Sequence, residues 1–341
     1  MSQDPVPKSV LVTGANGYIG SAVARAFVRK GWRTYGLVRS KKSVKTLAAN
    51  EIIPIVGTFE DPSFPFLSKL ESEGIVFNVV VSTTEQLRNY IPHYNQIISL
   101  LLKISESTKK AGKGKPLVLF TSGCKDYGMM PYLANSPGLQ PHTEASPLNS
   151  VPLLIHRTTY SIKTLDHSDA FDAAVVRPTN VYGLASSYYA GFFVVAQEAV
   201  EKELLEFRED PLTILHAMHV DDCGDAYLAL AETGLANREA VKNECFNMSS
   251  YRFETLEEIA ESLVQEYEIK GGAKFVIDAW PEGGRADENF GRILFGFSQW
   301  TSSQKLRDLT GWNDYRPLFS KSLKQYRLAY DATNGTGSEL L

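Results

Sequence analysis

Three glycines, Gly14, Gly17 and Gly20, follow the apolar run Ser9-Val10-Leu11-Val12-Thr13 and precede an alanine-rich, helix-spaced segment, Ser21 to Lys30. A strand, a glycine turn and a helix in that order build a phosphate cradle. Gly14 lets the chain turn off the strand, Gly17 lets a pyrophosphate approach the backbone, and Gly20 lets the helix pack close to the sheet. Free N–H groups at the helix start then face the anion. Thr13, Asn16, Tyr18 and Ile19 complete the candidate dinucleotide contact. The alternative is an ordinary glycine-bearing turn, and the flanking strand and helix patterns favour the cradle.

A second charged group follows the next strand pattern, in Gly36-Leu37-Val38-Arg39-Ser40-Lys41. An acid here would bond ribose hydroxyls, whereas arginine accommodates a 2′-phosphate. Ser40 and Lys41 add a donor and a charge, so the expected cofactor is NADP(H). The other reading is that Arg39 only lies on the adenine and accepts either dinucleotide. Thr58 and Phe59 after a third strand are expected beside the adenine. Ser82, Thr83 and Thr84 after a fourth are expected beside the ribose nearest the nicotinamide, unless they are only a polar loop.

The elements that must position these groups alternate. Strands are expected at Val10–Thr13, Thr34–Val38, Ile52–Val56, Val76–Ser82, Leu117–Phe120 and Ala173–Arg177, with helices at Ser21–Lys30 and Ile91–Ala111. This alternation predicts an α/β fold, a Rossmann-type doubly wound parallel sheet. Its ligands bind beyond the carboxyl ends of the strands. The nucleotide domain is expected over 8–183, with a returning part at about 217–250. Helical stretches Gly191–Glu206 and Thr255–Tyr267 suggest a smaller, partly helical substrate lobe over 184–216 and 251–330. Residues 1–7 and 332–341 are expected to be flexible termini.

Bulk properties exclude several classes. The chain has 341 residues and a net charge of −4, with no basic cluster of the kind that grips nucleic acid. The longest apolar run, Ile97 to Leu102, is too short to span a bilayer, and the N-terminus has no signal-peptide core. Three widely spaced cysteines, Cys124, Cys223 and Cys245, suit a reduced, cytoplasmic setting. His216 and His219 do not suggest a metal set.

Several stretches, in order, carry a resemblance. After the glycines come Thr121-Ser122-Gly123 with Tyr127-Gly128, then Arg177-Pro178-Thr179-Asn180-Val181-Tyr182-Gly183. His219-Val220-Asp221-Asp222 precedes an alanine-bearing helix; Phe246-Asn247-Met248 and Lys305 to Trp312 follow. Over about residues 8 to 328 the chain resembles the NAD-dependent epimerase/dehydratase group of extended short-chain dehydrogenases/reductases. Such motifs speak for fold and cofactor far more than for reaction. The resemblance implies cofactor contacts from Thr121, Arg157, Pro178, Asn180 and Val181. It also implies a substrate contact from Tyr182. By analogy, long helices after strands four and five could pair two subunits into a homodimer.

Redox members of that group use a Tyr with a Lys four residues later, plus a Ser or Thr. The Lys and the nicotinamide charge lower the tyrosine pKa, and the tyrosine exchanges a proton with the substrate oxygen. No tyrosine here has lysine four places on. Aligning Lys163 puts Thr159 at the tyrosine position. Aligning Arg157, whose spacing to Arg177 suits a helix and return strand better, puts Leu153 there. The place of the usual serine holds Gly123, flanked by Ser122 and Thr121. Ser122, Tyr127, His156 and Tyr160 are the catalytic candidates. Asp126, His142 and Glu144 lie on the 124–150 loop expected over the nicotinamide, and Tyr90, His93 and Tyr94 at the start of the helix after strand four, which faces the ligand crevice. A lone His or Tyr is more often packed or hydrogen-bonded than a proton donor, and Lys125 with Asp126 also reads as a solvated pair. Tyr188, Tyr189, Phe192 and Phe193 either wall an apolar substrate or form the core of the smaller lobe.

These features are compatible with an NADPH-dependent reductase of a small, largely apolar metabolite. They also fit a non-redox isomerase, cyclase or dehydratase, or an NADP(H)-sensing protein. The reductase reading is placed first.

Overall fold

The computed structural model describes residues 8–184, 188–277 and 294–334. Seven parallel strands form one sheet: β1 (Ser9–Thr13), β2 (Arg33–Val38), β3 (Ile53–Val56), β4 (Val79–Ser82), β5 (Leu117–Thr121), β6 (Asp172–Pro178) and β7 (Glu244–Met248). Their order is β7-β6-β5-β4-β1-β2-β3. Central strands are continuous apolar runs because helices cover both faces. The order reverses between β1 and β4, which opens a crevice at the carboxyl ends. This is the α/β doubly wound architecture expected from the alternation.

Ten helices among the described residues surround the sheet and build the lobe: α1 (Tyr18–Arg29), α2 (Val44–Ala49), α3 (Pro65–Ser72), α4 (Tyr90–Lys110), α5 (Ile155–Lys163), α6 (Ala190–Lys202), α7 (Val220–Ala236), α8 (Leu256–Glu266), α9 (Gln304–Thr310) and α10 (Leu323–Asn334). Strand alternation divides the core. Val10, Val12, Val79, Val81, Leu117 and Leu119 meet α1 and α7 on one face. Leu11, Val80, Val118 and Phe120 meet α4 on the other. The α1–α7 contact is backbone-close: a Cβ on Gly224 would lie 2.6 Å from the Ala22 carbonyl oxygen. Arg25 pairs with Asp221 and Arg29 with Asp225 along its edge.

After the first part of the lobe the chain returns to the sheet. Ala217–His219 pairs with Asn180–Tyr182, α7 packs on the sheet, and β7 completes its edge. The lobe itself comprises α6, α8 and α10 around an aromatic core. A capping box between Thr255 and Glu258 starts α8.

Three expectations change. The stretch Gly191–Glu206 is not one helix: α6 stops at Lys202, Glu203 turns left-handed at φ 52°, and Leu205–Phe207 pairs with Ala273–Phe275. The helix after β5 has nine residues, because a loop with two short 3₁₀ turns occupies most of the chain from Ser122 to Leu154. Residues 332–334 finish α10. The rest of the expected flexible termini, 1–7 and 335–341, lies outside the described residues.

The cradle depends on atoms that are missing at Gly20, where a Cβ would sit 2.2 Å from the Gly14 carbonyl oxygen. Gly20→Ala is therefore expected to lower the unfolding free energy by about 1–3 kcal/mol in urea titration. Gly114→Ala, at an open position, should stay within about 0.5 kcal/mol.

Candidate functional site

A cleft of about 300 Å³ opens at the carboxyl ends of β1, β4, β5 and β6. One end is the glycine turn, Gly17 to Gly20, with Thr83. Gly14 holds φ +68°, and its carbonyl accepts from the Gly17 N–H at 2.8 Å. The Thr83 hydroxyl donates to the Thr13 carbonyl at 2.6 Å, tying the ends of β1 and β4 together. The Tyr18 hydroxyl donates to the Gly183 carbonyl, joining α1 to the segment after β6. Pro178, Thr179, Asn180 and Val181 form the side nearest that segment.

The opposite end is built on Asp126, in the 3₁₀ turn Cys124–Tyr127 just after β5. Asp126 is 0 % exposed. Its Oδ1 accepts from Arg157 Nε and Nη2 at 3.0 and 2.8 Å and from the Thr158 hydroxyl at 3.0 Å. Its Oδ2 accepts from the Ser122 hydroxyl and lies 3.6 Å from Arg177 Nε. Arg157 also reaches Glu85 through Nη1 at 3.3 Å. Burial disfavours the Arg157 charge, but Asp126 and Glu85 outweigh it and raise the guanidinium's pKa. The guanidinium lies against Gly123, where a Cβ would be 3.3 Å from Cζ and both terminal nitrogens.

Between these ends the wall is largely apolar, from Leu87, Val151, Leu153, Leu154 and Leu294. Ser122, Gly123, Cys124, Lys125, Glu85, Tyr188 and Gln299 add polar or adaptable groups. Burial, and then Arg157, push the Lys125 ammonium down to about 7.

Of the catalytic candidates, the structure brings only Ser122 into the cleft, and its hydroxyl is engaged by Asp126. Tyr127 is 3 % exposed and does not line the cleft. Its hydroxyl donates to Asn247 Oδ1 at 2.8 Å and accepts from Arg177 at 3.0 Å. Burial raises its pKa further from any proton-transfer range. His156 is exposed on the first turn of α5 and outside the cleft. Tyr160 packs edge-on against Tyr94 on the α4 side of the sheet, with Lys163 over its ring.

The cofactor candidates divide similarly. Gly17, Tyr18, Ile19, Gly20, Thr83, Arg157, Pro178, Asn180 and Val181 line the cleft. Arg39, Ser40 and Lys41 are exposed where β2 ends. Asn16 donates to Ser43 at 3.2 Å. Thr58 accepts from the Glu60 N–H, and Phe59 is buried edge-on to His93. Burial, and next Arg39, push the His93 pKa down. The hydroxyls of Thr13, Ser82 and Thr84 are buried without a hydrogen-bond partner. The Thr121 hydroxyl instead meets Tyr227 of α7 at 2.7 Å, away from the cleft. Among the aromatic candidates, Tyr188 lines the cleft and is 47 % exposed. Tyr182, Tyr189, Phe192 and Phe193 are at most 1 % exposed, packed in the lobe core with Phe319 and outside the cleft's lining.

Lys125 and Asp126 are not the solvated pair that their sequence suggested, since Asp126 is fully enclosed. Leu87, Val151 and Leu154 carried no signal beyond their place near strand ends. Gln299 carried none, yet its side chain donates to the carbonyls of Cys124 and Gly128 at 2.8 and 3.1 Å and braces the turn. His216 accepts from the Thr301 N–H, its other ring nitrogen lies 3.1 Å from the Ser250 carbonyl, and His219 caps α7; burial pushes both down to about 4.

The sheet order, the glycine turn and the strand-end cleft define a Rossmann-type nucleotide-fold protein. Residues 10–247 match the NAD dependent epimerase/dehydratase family, and the chain belongs to that family. An uncharacterized protein of Schizosaccharomyces pombe is 33% identical over 72 residues, 21% of this chain and 24% of that protein. Among solved structures, a dTDP-glucose 4,6-dehydratase from Bacillus anthracis in complex with NAD superposes with a TM-score of 0.70 at 17% identity. That match covers 98% of this chain and all of the other. A UDP-glucose 4-epimerase from Thermotoga maritima with UDP-glucose gives 0.70 at 18% identity, covering 96% and 99%. At these identities the structures establish the fold alone.

Removing one partner of a buried ion pair leaves an uncompensated charge. Asp126→Asn is expected to cost about 3–5 kcal/mol in urea unfolding at pH 7, since Arg157 and Arg177 then face a neutral amide. A loss under about 1 kcal/mol would show that the pair is solvated.

Proposed function

We propose that this chain is an NADP(H)-dependent reductase of small, largely apolar carbonyl compounds. The observation that carries the reading is one cleft with a glycine phosphate cradle at one end and an apolar, charge-studded chamber at the other. The residues fit a dinucleotide. A Cβ at Gly14 would crowd Thr84, and a Cβ at Gly17 would lie 3.1 Å from the Gly14 carbonyl. The hydroxyls of Thr13, Ser82 and Thr84 are buried without a hydrogen-bond partner at the ends of β1 and β4, beside the cleft-lining Thr83.

In this reading Gly17, Tyr18 and Ile19 present backbone N–H groups to the pyrophosphate. Arg39, with Ser40 and Lys41, holds a 2′-phosphate, and Asn180 and Val181 flank the nicotinamide. The bound dinucleotide would supply a hydride. Arg157, held by Asp126, keeps a fixed positive charge at the chamber's floor without being able to give up a proton. Leu87, Leu153, Leu154 and Leu294 exclude water and favour an apolar substrate body. Ser122 keeps Asp126 oriented. The absence of a Tyr-x-x-x-Lys pair sets this site apart from the redox members it resembles. The proposed setting is the cytoplasm, where three free thiols remain reduced.

Among the described residues no helix is long and apolar enough to cross a membrane. A cleft of this size supports an enzyme over a sensor.

Fluorescence titration with NADPH and NADH tests the cofactor. NADPH should bind more tightly, and Arg39→Asp should cost it about 2 kcal/mol, roughly 30-fold, while sparing NADH. Equal affinities, unchanged by the substitution, would contradict the 2′-phosphate role. Stoichiometric binding with no NADPH consumed across small aryl and alkyl ketones would favour non-redox chemistry.

A further inference from the structure

We propose that Lys125 is the residue that gives a proton to the substrate oxygen, in place of a tyrosine; this rests on the reductase reading above. The proposal begins with position. Lys125 is the second residue of the turn at the carboxyl end of β5 and lines the cleft with Ser122, Gly123 and Arg157. Its neighbours in sequence are anchored. The Cys124 thiol donates to the Arg177 carbonyl at 2.9 Å, and Asp126 is locked among two arginines and two hydroxyls. Gln299 donates to the carbonyls of Cys124 and Gly128 on either side of Lys125. The backbone carrying Lys125 is therefore braced on both sides.

Its ammonium lies 3.7 Å from the ring centroid of Phe297, a buried residue outside the cleft's lining, whose face supports the cation. Among the described residues, the ionisable groups that act on it are Arg157 from α5 and Cys124 beside it, while Glu85 after β4, Tyr18 of α1 and Tyr188 before α6 share the cleft. Asp126 lies behind Arg157 and is engaged by it. Burial and Arg157 bring Lys125 to about 7, near the value that suits a general acid at neutral pH.

Other groups of the cleft are less suited. Arg157 keeps its proton. Ser122 is committed to Asp126, and burial pushes the Cys124 thiol up to about 12. The Tyr18 hydroxyl is engaged by Gly183, and burial raises the Tyr188 pKa. Tyr127, His156 and Tyr160 do not line the cleft.

The step balances. A hydride from a reduced nicotinamide dinucleotide joins the carbonyl carbon, and the C=O π pair moves onto oxygen. The Lys125 N–H bond breaks as the new O–H bond forms. The resulting amine regains its proton from water, and the products are an alcohol and the oxidised dinucleotide. The rate should be flat below pH 7 and fall above it, because the ammonium is the reactive form.

Trace acetylation of the full-length protein with acetic anhydride across pH, read by mass spectrometry, reports the titration of Lys125 without any substrate. A labelling midpoint near pH 7 is expected, and a midpoint above about 9 overturns the proposal. Lys125→Met should bind NADPH within threefold of the parent protein. It should reduce the best substrate of the ketone panel about 10²- to 10⁴-fold more slowly, and lose the fall in rate above pH 7. Lys125→Arg, which keeps a cation but holds its proton, should be equally slow. Parental rates in either variant overturn the proposal. Failure of the parent protein to bind NADPH would instead strike the reductase reading, leaving the labelling result to stand by itself.

Discussion

The buried carboxylate of Asp126 is the constraint on which the Arg157 side of the cleft depends. A charge removed from water needs several partners at short range. Asp126 obtains them from three directions: Arg157 and Thr158 from α5, Arg177 from β6, and Ser122 at the end of β5. This cluster holds a nine-residue helix and a long loop against the sheet. It also decides which side chains reach the cleft. With Asp126 turned inward, its neighbour Lys125 lines the opening, and Tyr127 is directed toward Arg177 and Asn247.

The same constraint makes sense of three unusual residues together. A guanidinium is flat and wide, and at position 157 it lies where a side chain at position 123 would stand. Gly123 therefore accompanies Arg157. Leu153, one turn earlier, adds to an apolar wall instead of presenting a hydroxyl. Exchanging an ammonium for a guanidinium is not conservative, because only the guanidinium reaches two carboxylates from one fixed plane. The arrangement holds its charges firmly, and Arg157 keeps its proton.

The sheet and the cradle were legible in the sequence because both depend on local patterns. Buried parallel strands are continuous apolar runs, and the glycines mark a left-handed turn at Gly14 and a close backbone approach at Gly20. The Arg157 side of the cleft was less legible because its geometry is long-range. Nothing local shows that Asp126 is enclosed while the adjacent Lys125 faces the cleft. Nor does spacing reveal that Gln299 braces a turn some 170 residues earlier in the chain. Tyr182, Tyr189, Phe192 and Phe193 have the composition of a substrate wall, but they interlock with Phe319 of a distant segment. Among the aromatic candidates, Tyr188 precedes α6 and stays at the cleft, which only the packed lobe could reveal.

The central claim is that one cleft holds a dinucleotide against the glycine turn and places Lys125 at the reacting end. A crystal structure of the complex with NADP⁺ tests it most directly. The account predicts pyrophosphate density on the backbone of Gly17 to Ile19 and the 2′-phosphate at Arg39. It predicts the nicotinamide beside Asn180 and Val181, with Lys125 the nearest side chain able to give a proton. A dinucleotide bound elsewhere, or a tyrosine hydroxyl turned in beside the nicotinamide, would contradict it.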